Sequence, residues 1–402
     1  MQPSSTSLFV RRLALLPLVL LAAAVVLSYL APPQYIGWSL FFLQLQFNSW
    51  DPCFFRNKVA SSYFLAHHAS HFGPSPPLVS PSPVLELSAL DYSYDNLRLA
   101  SKEWTEPVVV RGMFKDSRAL HWSSDLFGPG SPLSALSDFN VSVVQNSTLG
   151  KDHDFNCGLT FPGVPDTVMT KFSSAAKEIK TYDPTSTKPS KTLILPPASR
   201  THREVDRSLD SAFASIVERD IDLRRFGGDW EKKGGRNAVV TQLWMGSGQE
   251  VGRDRDMGTG WHMDICNSYK IQLAGSKKWT FIHGKYASLM RPTMKAGKTA
   301  AVGTDLSVRY DVEPYLPRQE LVLHAGDFLY NPDFYYHNVK NEPGFTMAVA
   351  ARECKPSRYF RASPLVASTI VLNHVRAAIF QGDGYALERL KGALFNVVDS
   401  NK

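Results

Sequence analysis

The chain has 402 residues, 44% hydrophobic and 11% aromatic, enough to bury a sizeable core in one large or two ordinary domains. Its net charge of +7 comes from Lys and Arg scattered singly or in pairs such as Arg11-Arg12, Arg224-Arg225, Lys232-Lys233 and Lys277-Lys278, which reads as solvated faces rather than a nucleic-acid patch. Four cysteines with no CxxC pair indicate neither a zinc site nor a disulfide scaffold.

At the N-terminus, Arg11 and Arg12 precede an uncharged run over 13–31, the length a helix needs to cross a bilayer. A secretory signal peptide has a shorter apolar core, of about 7–15 residues, followed by a small-residue cleavage site, whereas here Pro32-Pro33 follow directly. Residues 1–31 therefore read as an uncleaved signal anchor, with signal-peptide cleavage or organelle targeting as the alternatives. The positive-inside rule then places the rest of the chain in the lumen of the endoplasmic reticulum or Golgi as a single-pass membrane protein. The sequons Asn140-Val141-Ser142 and Asn146-Ser147-Thr148 agree with a lumenal glycoprotein. Residues 32–84, with Pro74, Pro76, Pro77, Pro81 and Pro83, read as a stem and Pro-rich linker.

The spacing predicts a helix over 85–104 and a strand over 107–112, and the Ser/Thr/Lys/Pro-rich stretch 171–203 reads as an exposed insertion. From 238 onward strands come quickly, over 238–245, 260–265, 268–274, 277–282, 320–324, 327–330 and 345–351. Close spacing without intervening helices indicates an antiparallel jelly roll, the double-stranded β-helix class that includes cupins. The fold expected is mainly β with flanking helices, a domain over 85–363 with a metal core at 238–352. Residues 364–402 return to helical spacing, and His374 and Arg376 make this a packing or homodimerising helix rather than a second membrane span. Cys53 with Cys157 is the first bridge to test, and Cys266 and Cys354, at the ends of core strands, read as buried free thiols.

A non-haem iron(II) oxygenase binds its metal with two histidines and one carboxylate on one face, leaving the other positions for oxygen and a co-substrate. Composition alone makes about one His-x-Asp/Glu pair expected by chance, and the chain holds two. His202-Arg203-Glu204 lies in the predicted insertion, without strand alternation. His262-Met263-Asp264 lies in a strand, where residues i and i+2 point the same way, and leads into two further strands. The third ligand should come from a later strand. His337 fits, because 326–332 is a strand ending in a Pro turn that delivers it to the barrel mouth, whereas His324 sits beside a Gly-Asp turn and His283 and His374 read as structural.

The ordered series over 242–339 resembles the JmjC-domain hydroxylases, in particular their asparaginyl-hydroxylase-like cupin group. It comprises Gln242-Leu243-Trp244-Met245-Gly246, Thr259-Gly260-Trp261-His262-Met263-Asp264, Gln272-Leu273-Ala274-Gly275-Ser276-Lys277-Lys278-Trp279, and Gly326-Asp327 through His337-Asn338-Val339. The upstream Glu106-Pro107-Val108-Val109-Val110-Arg111-Gly112 and Leu120-His121-Trp122 extend the likeness. The resemblance implies iron(II) held by His262, Asp264 and His337, and 2-oxoglutarate as co-substrate with Lys277 pairing its distal carboxylate and Thr259 hydrogen-bonding to it. Two departures touch the substrate side: a long charged loop over 247–258, and Asn267 one place off a family asparagine. Aspartate in the pair favours a hydroxylase over a histone demethylase.

The expected activity is a membrane-anchored iron(II) and 2-oxoglutarate dependent hydroxylase acting on a protein or peptide side chain. The alternatives are a non-catalytic cupin-fold binding or scaffold protein, and an oxygenase acting on a small molecule or an RNA base.

Overall fold

The computed structural model describes residues 78–353, except 125, 129, 146–166, 187–190, 196–206, 233–239, 249–257, 265, 287–291, 294–300 and 305–312. In chain order the strands are β1 (Ser82–Pro83), β2 (Leu85–Ser88), β3 (Val108–Arg111), β4 (Asn140–Gln145), β5 (Thr167–Lys171), β6 (Lys191–Leu195), β7 (Val240–Gly248) and β8 (Gly258–Asp264). They continue with β9 (Asn267–Ala274), β10 (Ser276–Ile282), β11 (Pro292–Thr293), β12 (Ala301–Thr304), β13 (Arg318–His324), β14 (Phe328–Asn331), β15 (Tyr336–Asn341) and β16 (Gly344–Glu353). One sheet runs β1-β13-β10-β15-β8-β12-β11, the other β2-β3-β14-β9-β16-β7-β6-β4-β5. The protein is mainly β, as a cupin sandwich is. The seven core strands expected from the sequence are β7, β8, β9, β10, β13, β14 and β16, displaced by at most three residues at an end.

Strand alternation gives the larger sheet two different faces. Tyr269, Ile271 and Leu273 of β9, with Met347, Val349 and Ala351 of β16 and Leu243 and Met245 of β7, join one apolar cluster on the helix side. The helices behind it are α1 (Tyr94–Ala100), α2 (Phe172–Lys180) and α3 (Arg207–Asp220). In α2 the buried residues Phe172, Ala175, Ala176 and Ile179 follow the i, i+3, i+4, i+7 spacing of a one-sided helix. Between the sheets lies a second cluster, Val109 and Leu329 from the larger sheet against Trp279, Phe281, Leu321, Leu323, Tyr335 and Val339 from the smaller.

Two turns fix the strand ends near the site. Gly275 joins β9 to β10 at φ +60°, and a Cβ there would lie 2.2 Å from the Phe345 carbonyl oxygen. Only glycine meets both conditions without backbone movement. After Gly326, Asp327 accepts from the Gly112 and His324 backbone N–H groups at 2.9 and 3.1 Å and from Arg111 Nη1 at 2.6 Å. This pins the β13–β14 turn to the end of β3.

Several expectations are corrected. The stretch 85–104 is a strand, β2, and then the short helix α1, because β2 finds a parallel partner in β3. The predicted exposed insertion contributes α2 to the core and β6 to the larger sheet, the amphipathic spacing of α2 outweighing its Ser/Lys-rich composition. The end of the predicted stem is docked: β1 pairs with β13, and Val79 N–H donates to the Pro314 carbonyl. Cys266 is disulfide-bonded rather than a free thiol, and the other three cysteines lie outside the described residues. The single-pass membrane location is withdrawn: no helix among the described residues is long and apolar enough to cross a membrane, and 13–31 lies outside them. Outside them too are Asn146, His202 and the C-terminal segment 364–402, while Asn140 is exposed at the start of β4.

Gly275→Ala is expected to destabilise the protein by about 2–5 kcal/mol, from left-handed backbone strain and overlap with a main-chain oxygen. Urea unfolding measures this, and an unchanged midpoint would show that the turn can yield. A peptide map of the unreduced protein is expected to hold the Cys266 peptide in a disulfide-linked pair that reduction separates, and a free Cys266 thiol would contradict the structure.

Candidate metal centre

β8 and β15 pair antiparallel with His262 opposite His337. His262 and Asp264 are two apart on β8 and face inward, whereas Trp261 between Gly260 and His262 turns the other way and donates from Nε1 to Glu313 at 2.9 Å. One ligand atom from each of His262, Asp264 and His337 lies within 4.8 Å of the others, and among the described residues this is the group that could hold a metal ion. The imidazole centroids of His262 and His337 are 4.2 Å apart, and His337 Nε2 is 4.0 Å from Asp264 Oδ2.

The surroundings orient these donors. His337 Nδ1 lies 3.0 Å from the Tyr335 carbonyl oxygen and 3.4 Å from the Asn331 amide, so Nε2 is the nitrogen left toward Asp264. Trp279 stacks on the His337 ring at 5.6 Å. Burial, and then the neighbouring His262, push the His337 pKa well below the usual imidazole value, leaving the neutral form that ligates metals. For Asp264, burial alone would raise the pKa, but Arg352, Lys270 and the two imidazoles outweigh it and hold the carboxyl below its usual range. Asp264 Oδ2 is buried without a hydrogen-bond partner. A buried, ionised carboxylate whose Oδ2 makes no hydrogen bond, beside two imidazoles, is the donor set that suits a first-row divalent cation.

Thr259 reaches the same face through an irregularity. Positions 259 and 262 are an odd step apart and would face opposite ways in a regular strand. The register slips between His337 and Val339, so that Thr259 pairs with Val339 while His262 pairs with His337. This β-bulge puts both side chains inward. Thr259 is half-buried.

Lys277 on β10 is buried, two residues before Trp279 and on its face, and its ammonium has no hydrogen bond or ion pair among the described residues. Burial lowers its pKa to about 8. Lys278 points outward and pairs with Glu320 at 2.8 Å. His324 is exposed.

Sequence reasoning passed over two cations. Lys270 of β9 is buried with its ammonium over the Trp244 and Trp279 rings, at 5.5 and 5.9 Å. Burial, and then Arg352, lower its pKa to about 7, against the opposing pull of Asp264. Arg352 of β16 crosses to the other sheet and places Nη2 3.3 Å from Asp264 Oδ2. The signal was present in the sequence as polar residues at every second position of an otherwise apolar strand, Ser268, Lys270 and Gln272.

No curated protein matches the chain significantly in sequence. A family model described as a cupin-like domain matches residues 102–351, from just after α1 to the end of β16. That span is more than half of the chain and contains the whole His262, Asp264 and His337 cluster, so the protein belongs to the cupin-like domain family, in its JmjC-like form.

Proposed function

We propose that the protein is an iron(II) and 2-oxoglutarate dependent oxygenase built on a double-stranded β-helix, and that it hydroxylates a protein or peptide side chain. The observation that carries this reading is the convergence of His262, Asp264 and His337 on one point, with a buried lysine, Lys277, on the same inner surface. The choice of a protein or peptide substrate rests on the likeness of the series over 242–339 to the asparaginyl-hydroxylase-like group.

His262, Asp264 and His337 would hold iron, which when bound supplies the oxygen chemistry that couples decarboxylation of 2-oxoglutarate to hydroxylation of a carbon. Neutral His337, kept so by burial and oriented by the Tyr335 carbonyl, offers Nε2 without first losing a proton. Lys277 supplies the cation for the distal carboxylate, in surroundings where a charge-assisted hydrogen bond is not diluted by water. Thr259, brought inward by the bulge, supplies a hydroxyl to the same ligand. The walls of Trp279, Phe281 and Val339 keep this end dry.

One observation favours a binding module without turnover. Arg352 beside Asp264 supplies a counter-ion that could stand in for a metal. Metal titration separates the two readings.

Purified protein given iron(II) and 2-oxoglutarate without oxygen is expected to show the weak visible charge-transfer band of a chelated 2-oxo acid, and His262→Ala is expected to lose it. A folded wild type with no band would leave the binding-module reading. Lys277 adds a second expectation. Its pKa is about 8 folded against 10.5 unfolded, so the unfolded chain binds more protons between those values and stability rises as pH rises through that window. Below pH 8 the buried cation costs the metal-free protein up to about 3 kcal/mol. Lys277→Met is therefore expected to be more stable than wild type in urea at pH 7, to lose part of the rise toward pH 10, and to lose 2-oxoglutarate binding. Lower stability at pH 7 would mean that the ammonium has a structural partner.

A further inference from the structure

The inner surface around the metal centre holds more positive charge than one lysine accounts for. Three carboxylates are buried among the described residues. Asp327 is taken by Arg111 and two backbone N–H groups, and Glu353 lies on the opposite face of β16 from Arg352, 3.5 Å from the Tyr269 hydroxyl. Asp264 is left to face Arg352 and Lys270, with Lys277 buried on the same inner surface. An uncompensated charge in such a place costs several kcal/mol, which favours an anionic ligand there.

The three cations are ordered in space. Arg352 Nη2 is 3.3 Å from Asp264, Lys270 stands over the Trp244 and Trp279 rings at 5.5 and 5.9 Å, and Lys277 is buried on β10 two residues before Trp279 on the same face. Around the first two lie donors in need of an acceptor: Arg352 Nε and the hydroxyl of Ser268, its cross-strand partner, are buried with no hydrogen bond, as are the indole N–H groups of Trp244 and Trp279 beside Lys270.

Resting on the oxygenase reading, we infer that Arg352 and Lys270 grip the metal-side carboxylate of the 2-oxo acid, so that the co-substrate is held by cations at both ends. Two oxygens at neighbouring positions on one small divalent metal are about 3 Å apart. A guanidinium 3.3 Å from Asp264 Oδ2 would stand beside a carboxylate that shares the metal with Asp264. Arg352 does so as a fork, which suits a carboxylate, and Lys270 adds a point charge held in place by two indole rings. Lys277 is left to the far end.

Oxalate separates the two ends, because it chelates a metal as a 2-oxo acid does but has no distal arm. Calorimetry on the full chain loaded with manganese(II), which is redox-silent, reads the affinity for 2-oxoglutarate and for oxalate without any turnover. Arg352→Gln and Lys270→Met are expected to weaken both ligands by about ten- to a hundred-fold, the worth of a charge-assisted hydrogen bond. Lys277→Met is expected to weaken 2-oxoglutarate alone. Retained manganese(II) binding shows that each variant is folded. Oxalate binding unchanged in Arg352→Gln and Lys270→Met would overturn the grip and leave the oxygenase reading standing, whereas a wild type that binds neither ligand would overturn both. Where a neutral variant does not fold, Arg352→Lys and Lys270→Arg carry the test: oxalate is expected within about tenfold of wild type, and its loss from these folded, charge-keeping variants overturns the proposal.

Discussion

The antiparallel pairing of β8 with β15 is the constraint on which the site depends, since it sets His337 beside His262 and lets Asp264 follow two residues later on the same face. Nothing local in the sequence brings position 337 to position 262. The contact exists because β15 is also paired with β10, where Phe281 lies opposite His337, so the histidine is fixed from both sides of its strand. The slip in register between His337 and Val339 then does what a regular ladder cannot, turning Thr259 inward without turning His262 out. A one-residue change of register here would move every donor to the wrong face.

The space between the sheets divides into two environments. At one end Val109 and Leu329 of the larger sheet pack on Leu321 as an ordinary apolar core. At the other, two lysines, an arginine and a carboxylate share a dry interior, and the lysines respond by titrating near neutrality. The helices packed on the outer face of the larger sheet bring a separate apolar cluster, in which Trp122, Phe213 and Trp230 are fully buried. That second core lets the interior between the sheets be polar at one end. A two-layer sandwich with a single core could not carry the same charges so cheaply.

How far the sequence reveals this depends on which signals are local. Strand alternation is local, so β7 to β10 and β13, β14 and β16 were legible, along with the inward pair His262 and Asp264. Composition misled over α2 and β6, where Ser, Thr and Lys suggested an exposed insertion although Phe172, Ala175, Ala176 and Ile179 mark one buried stripe. The helix expected over 85–104 broke at β2, because a parallel partner, β3, is a fact of tertiary structure. Cys266 read as a free thiol because a disulfide is a tertiary contact that no local pattern announces. Arg352 escaped notice for the same reason: its contact with Asp264 joins strands of opposite sheets, 88 positions apart in the chain.

Polar residues in a core strand break a local rule, and where they break it is informative. Every residue of β9 is buried, so a sequence selected for stability alone would place apolar side chains on both of its faces. On the helix side it does after Asn267, with Tyr269, Ile271 and Leu273. On the inner side stand Ser268, Lys270 and Gln272, and the facing positions of β16 are Arg352, Ala350 and Ala348. The two alanines leave room where a larger residue would fill the space above Lys270 and Gln272, and the arginine leans across to the metal cluster. Polarity and small volume thus coincide along the face that looks toward His262, Asp264 and His337, whereas the buried polar residues of the helix-side face, Asn267 and Glu353, are confined to one cross-strand pair at its end, which marks the inner face as a surface shaped to receive an anionic ligand.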